Sequence, residues 1–501
     1  MKDLGPPTAD ELERYAAIHH INLSEAEREE FAAVAPELLD AYERLEELEP
    51  SVPTAPANAD RSSSVPSDED DPLNVFVRRC SVSSAAEGPL EGYDVGLKDS
   101  ISLAGIEMTC GSAVFSGYVP STDATIVTQL LEAGATITGK LNMEDMAFSG
   151  SGEMSAHGPV LNPRNTDYLA GGSSSGSAAA VVNEDVDVAI GTDQAGSVRI
   201  PASWSGCIGH KPTYGLVPYT GIVGLGRSFD HAGPLARSVA DCARALEAIA
   251  GADGLDPRQG AVPTEEYTEI LDADPPNLTI GVLEEGFGHD ESEAGVDETV
   301  DEALKAFADV GADLRQVSVP MHRDGLAIWN GIATEETAAT IAGEGIGHFG
   351  NGYYDAELMA AFGRTRRERA DEFPPTVKLV VALGEYLAEE YHGRYYAKAQ
   401  NLSRDLVAAY DDVLADVDVL AMPTTPQTAH KHLEDPSRLQ ILERAVNMLA
   451  NTSPFDVTGH PALSVPAGTS EGLPVGLMFV GEAFDDATVL QAGDAFEQHC
   501  A

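Results

Sequence analysis

Three short stretches of this chain carry the residue types of serine chemistry. GLKDS, residues 96 to 100, holds Lys98; GGSSSGSAAAVV, residues 171 to 182, holds Ser173 and Ser174; DVAIGTDQAGSVRIPA, residues 187 to 202, holds Ser197. Glycines beside each serine permit backbone shapes that other residues resist and let a substrate approach main-chain N–H groups. Those are the needs of an oxyanion hole, whose donors stabilise the charge that develops on a tetrahedral intermediate. The heptad GGSSSGS alone also suits a flexible linker or a phosphate-cradling loop. A phosphate loop usually sets a lysine directly after its glycines, whereas Ser177 and three alanines follow here.

A serine nucleophile needs a base, and His157, His210 and His231 stand as candidates beside a lysine. The chain has only eight lysines, so Lys98, at the end of the strand-like residues 93–97, stands out. An exposed lysine there would be a solvated charge. A buried one is a competent base, because desolvation lowers its pKa toward operating pH, and Ser–Lys pairs recur for that reason.

The elements that must position these residues can be read from the same stretches. Residues 177–182 are mostly alanine and valine and favour a short helix, and residues 186–190 alternate as a strand does. A helix of about nine residues advances ~13 Å and five or six strand residues return ~18 Å, so both Gly/Ser loops can share one sheet edge. Ser173 and Ser197 are then expected to meet. Upstream, residues 9–48 show helical periodicity, with Ser24 and Glu27 as a capping box. Residues 51–72, rich in Pro, Ser, Ala and Asp, read as a linker. From residue 73 onward apolar runs alternate with helical patterns, which predicts an α/β layered domain, the span 355–415 forming a helical layer beside its sheet.

Composition narrows the function classes. With 82 acidic against 30 basic residues the formal charge is −52, so attraction to nucleic-acid phosphates or an anionic membrane is not expected. An acidic surplus spread along the whole chain suits a halophile, since salt screens self-repulsion. Cys80, Cys110, Cys207, Cys242 and Cys500 show no C-x-x-C pairing, and Cys207 reads as core filler. His430 and His432 lack a partner at ligand spacing, so no metal is expected. No apolar run approaches the ~18 residues of a membrane span and the first residues lack a signal peptide's pattern, so a cytoplasmic location is expected.

The stretches GLKDS, GGSSSGSAAAVV and GTDQAGSVRIPASWSGCIGHKPTYGLVPY, in this order and spacing, resemble the amidase signature family over roughly residues 73 to 500. GKLNMEDMAFSGSGEMSAHGPVLNP, AMPTTPQTAH, NTSPFDVTGHPALSVPAG and GLPVGLMFVG fit the same pattern, and HKPTYGLVPYTG resembles the branch of bacterial amidases of the nitrile-degrading pathway. The resemblance implies an amidase signature fold: a central twisted mixed β-sheet flanked by helices, residues 73–501, preceded by a small N-terminal helical segment, residues 1–50, of the dimerisation type. It implies carboxamide hydrolysis without a cofactor, by a homodimer acting on a small-molecule amide. Ser197 would be the nucleophile, Ser173 the bridging serine after a cis peptide at Gly172, and Lys98 the base. The N–H groups of Gln194, Ala195, Gly196 and Ser197 would form the oxyanion hole, with Ser174, Asp193 and Arg199 in support. An ordinary surface ion pair is the other reading of Asp193 and Arg199. The family usually has two glycines before the nucleophile; here Ala195 replaces the first, and a positive φ there would strain it. Two alternatives remain at this point: the glutaminase component of a tRNA-dependent amidotransferase, and a non-catalytic binding protein on the same scaffold.

Overall fold

A computed structural model describes residues 4–53, 61–84, 86–271, 278–348 and 350–500, and the chain divides into two compact units at residue 53. The first unit holds two helices, Ala9–Ile18 and Glu25–Glu46. Each opens on a capping box, Thr8 with Glu11 and Ser24 with Glu27, in which hydroxyl and carboxylate satisfy each other's free backbone N–H. Phe31, Val34, Leu38, Tyr42 and Leu45 form an exposed apolar stripe on the second helix.

In the second unit the described residues form one sheet from β1 (Ser63–Ser64), β2 (Phe76–Ser83), β3 (Asp94–Lys98), β4 (Thr136–Leu141), β5 (Val188–Asp193) and β6 (Ile208–Lys211). It continues through β7 (His231–Ala236), β8 (Thr279–Leu283), β9 (Asp313–Val317), β10 (Val419–Pro423), β11 (Ala462–Ser470) and β12 (Leu473–Val480). The strand order is β1-β2-β4-β3-β5-β7-β6-β11-β12-β10-β8-β9. β3 lies parallel to both β4 and β5, while β5 runs antiparallel to β7, so the sheet is mixed as expected.

Alternation along β3 and β5 sorts the side chains that matter. Val95 and Leu97, with Val188 and Ile190, enter the core on one face, packed with the helices Thr125–Glu132, Val239–Ile249 and Asp486–Cys500. Ala189 faces the other way, against Ala178 and Val181 of the helix Ser175–Val182. Successive strand residues point to opposite faces, so Lys98 follows Leu97 onto the side covered by that helix. The span 355–415 forms the helices Ala356–Arg369, Pro375–Tyr391 and Arg394–Leu414. Leu406, Tyr410 and Leu414 of the last pack with Leu420, Met422 and Met478 of the sheet, giving the expected helical layer.

The linker reading of residues 51–72 needs correction at its C-terminal end. Residues 54–60 lie outside the described residues, but β1 pairs with β2 at Ser63 and Ser64, and Arg61 grips Asp123 with both guanidinium nitrogens at 2.6 and 2.7 Å. The polar composition there belongs to an edge segment tied down by charge and backbone pairing.

Candidate active site

Lys98 ends β3, and the parallel register Leu97↔Ile190 brings it beside Thr192 near the end of β5. Its side chain is fully buried. Nζ lies 2.7 Å from Ser173 Oγ, 2.8 Å from Thr192 Oγ1 and 3.2 Å from the Thr192 carbonyl. Burial pushes its pKa down to about 7, although the carboxylates of Asp193 and Glu144 pull the other way. As an ammonium it donates to Ser173. As a neutral amine it can accept the Ser173 proton across the same contact.

The Gly172–Ser173 peptide is cis. Beside it, Ser174 Oγ donates to the Thr192 carbonyl at 3.1 Å and accepts from the Thr192 N–H at 3.3 Å, fixing the serine run to β5. The hydroxyl is thereby taken from helix capping, and the helix Ser175–Val182 starts without a side-chain cap. The Ser174 N–H donates to the Ser197 carbonyl at 3.2 Å, so the two Gly/Ser loops touch, as the helix-and-return geometry predicts.

Asp193 organises the second loop. Its carboxylate accepts from the N–H groups of Gly196 at 2.5 Å and Val198 at 3.0 Å, and from Arg199 Nε and Nη2 at 3.0 and 2.9 Å. Both charges are fully buried, so the surface-pair reading is overturned. Burial would raise the Asp193 carboxyl, but the Arg199 charge and hydrogen bonds outweigh it and hold the group far below the carboxylate range. Arg199 also reaches Asp456 at 2.7 Å and the Thr452 carbonyl at 3.0 Å. Asp456, by contrast, is pushed up by burial and by the Asp193 charge.

The Asp193 contact corrects one expectation. The Gly196 N–H is already committed, which leaves the N–H groups of Gln194, Ala195 and Ser197 without an acceptor among the described residues. The strain feared at Ala195 does not arise, because the positive φ of +126° falls on Gly196. A Cβ on Gly196 would meet Thr452 Oγ1 at 2.4 Å, so only glycine fits there.

Ser197, Gln194 and Ala195 open on a cleft walled by Ala147, Phe148, Leu225, Trp329, Val446 and Leu449. None of its described lining residues is charged. Of the candidate bases, His157 contacts Thr109 Oγ1, His210 contacts Asp486, and His231 contacts the Phe229 carbonyl; none bonds to Ser173 or Ser197. His430 bonds to Asn447, and among the described residues no three His, Cys, Asp or Glu side chains cluster as metal ligands. The sequence reading missed Thr192, although it sits inside the quoted GTDQAGS, as well as Asp456, Thr452 and the cleft walls.

A family profile described as "Amidase" matches residues 78–490. An "Enantioselective amidase" of Rhodococcus rhodochrous is 42% identical over 99% of this chain and 96% of its own. A glutamyl-tRNA(Gln) amidotransferase subunit of Natronomonas pharaonis is 38% identical over 84% of this chain and 99% of its own. Among solved structures, the corresponding glutamyl-tRNA(Gln) amidotransferase subunit from Thermotoga maritima matches at TM-score 0.69 and 30% identity, over 99% of this chain and 96% of that one.

Proposed function

The chain belongs to the amidase signature family and is a hydrolase acting on amides, and from that premise we propose that it is a stand-alone amidase for neutral, apolar or aromatic carboxamides. The observation carrying this reading is the cleft at Ser197. Its walls are Phe148, Leu225, Trp329, Val446 and Leu449, and it offers no charged side chain among the described residues. Glutamine would bring an α-ammonium and an α-carboxylate into that space, and burying unpaired charge costs several kcal/mol. The alternative, a glutaminase component, draws on relatives such as the glutamyl-tRNA(Gln) amidotransferase subunits. The extent of the matches does not separate the two, because the Thermotoga maritima relative likewise covers 99% of the chain. The apolar lining supports the amidase reading.

In the proposed reaction, neutral Lys98 takes the Ser173 proton while Ser173 takes that of Ser197, whose oxygen bonds to the amide carbon. The 2.7 Å contact between Lys98 and Ser173 and the touching serine loops support this route. The carbonyl oxygen becomes an oxyanion facing the open N–H groups of Gln194, Ala195 and Ser197, the Gly196 N–H being occupied by Asp193. Collapse breaks the C–N bond as the leaving nitrogen takes the proton back from Lys98 through Ser173 and departs as ammonia. Water then attacks the acyl-enzyme, giving a proton to Lys98 through Ser173, and the proton returns to Ser197 Oγ as the acyl–oxygen bond breaks and the carboxylic acid leaves.

The exposed stripe of Phe31, Leu38 and Leu45 is proposed as the pairing surface of a homodimer, and the charge of −52 as an adaptation to molar salt. The test of the substrate reading is ammonia release in molar KCl from benzamide, a small aliphatic amide and glutamine. Turnover of benzamide far above that of glutamine supports it; glutamine as the preferred substrate refutes it.

A further inference from the structure

The open amides of the 194–197 loop keep their direction only if the peptide planes carrying them are held, and every carbonyl of that loop is held. The Gln194 carbonyl accepts the Trp329 indole N–H at 2.7 Å, and the Ala195 carbonyl accepts Thr452 Oγ1 at 2.5 Å. The Gly196 carbonyl accepts the Ile200 N–H at 2.6 Å and the Ser197 carbonyl the Ser174 N–H at 3.2 Å. The last two are backbone contacts that any sequence with this fold could make. The first two are supplied by side chains from the helix Gly325–Ala342 and from the segment before the helix Pro454–Thr458.

In a trans peptide the C=O and the following N–H point in opposite directions. Holding the Gln194 carbonyl against Trp329 therefore fixes the direction of the Ala195 N–H, which has no acceptor among the described residues. The next plane is pinned at both ends, by Thr452 on the Ala195 carbonyl and by Asp193 on the Gly196 N–H. Its orientation in turn sets where the Ser197 N–H begins. Trp329 is 5% exposed and also lines the cleft, while Thr452 is fully buried, so neither bond competes much with water.

We propose that Trp329 and Thr452 are positioning residues for the oxyanion hole: Trp329, acting through the Gln194 carbonyl, aims the Ala195 amide at the developing oxyanion, and Thr452, acting through the Ala195 carbonyl, holds the intervening plane from which the Ser197 amide, itself set by the Ile200 bond to the Gly196 carbonyl, extends. This rests on the reading of Ser197 as the nucleophile. Losing one oxyanion donor outright lowers kcat by about 10²–10³. A donor left in place but free to swing is expected to lower it by roughly 10- to 100-fold.

The test uses the full chain in molar KCl with benzamide as substrate and phenylboronic acid as a tetrahedral mimic. Trp329→Phe keeps the aromatic wall and removes the N–H; Thr452→Val removes the hydroxyl at constant shape; Thr452→Ser restores it. The expected result is kcat lower by roughly 10- to 100-fold in Trp329→Phe and Thr452→Val, KM within about threefold, boronate affinity falling in parallel, and Thr452→Ser within about threefold of wild type. Loss confined to KM, or kcat within twofold in both variants, overturns the proposal while leaving a Ser197-dependent wild-type activity intact. Wild-type turnover that survives Ser197→Ala overturns the nucleophile reading and this proposal together. If Trp329→Phe does not fold, the Thr452 pair decides the matter alone.

Discussion

Protonation of Lys98 should control the rate near neutral pH. An amine at 10.5 is neutral in roughly one molecule in 3,000 at pH 7, whereas one lowered to about 7 by burial is neutral in about half. Burial thus raises the population of competent base roughly 1,500-fold. Below about pH 7, kcat/KM for benzamide should fall tenfold per pH unit, reaching roughly 100-fold below its plateau at pH 5. The assay is initial ammonia release from pH 5 to 9 in molar KCl, with the rate of sulfonyl fluoride labelling following the same curve. A profile flat down to pH 5, or one rising only above pH 9, refutes the reasoning. The same displacement acts on stability with a definite sign. Because the folded-state pKa is depressed, the penalty of burying Lys98 is complete below about pH 7 and fades as pH climbs toward 10.5. It amounts to roughly 5 kcal/mol at most, and Lys98→Met removes it while leaving the Ser173 and Thr192 hydroxyls short of a partner at about 1–3 kcal/mol each. The stability of Lys98→Met relative to wild type, from denaturant unfolding, should therefore be highest near pH 6 to 7 and decline toward pH 10.

Asp193→Asn leaves the buried Arg199 without its main counter-charge and should destabilise by about 3–5 kcal/mol, while Asp456→Asn, at a carboxyl already pushed toward its neutral form, should cost under about 1 kcal/mol. Chemical denaturation of the two variants checks this contrast. His157→Ala should keep benzamide turnover within about threefold of wild type, because His157 bonds to Thr109 and to neither serine. With a net charge of −52, the thermal midpoint should drop steadily as KCl is lowered from about 1 M to 0.1 M, the Debye length growing from about 3 to 10 Å. A midpoint independent of KCl refutes the assignment of the acidic surface to salt.

The legible part of the site is the part built by local pattern. The helix Ser175–Val182 and β5 lie within a few residues of where alanine content and alternation put them, and their lengths alone bring the two serine loops together. Lys98 is conspicuous because lysine is rare here. What stays hidden depends on burial and on distant chain. Asp193 and Arg199 look the same in sequence whether a pair is solvated or fully buried, and only packing decides. The cleft is closed by Phe148, Leu225, Trp329 and Leu449, which come from four separate segments, so no spacing rule joins them. Trp329 sits on the helix Gly325–Ala342, whose apolar residues run around its circumference and leave no single face to mark it. Residues 61–72 read as a linker because edge segments and linkers share a polar composition, and the Arg61–Asp123 pair that ties them down spans 62 positions.

The most direct test of the Ser–Ser–Lys route is to treat the folded protein in molar KCl with an aryl sulfonyl fluoride and map the adduct by peptide mass spectrometry. A single adduct on Ser197 is expected, missing in Ser197→Ala and formed at least about 100-fold more slowly in Lys98→Ala. An adduct on another side chain, or undiminished labelling of Lys98→Ala, contradicts it.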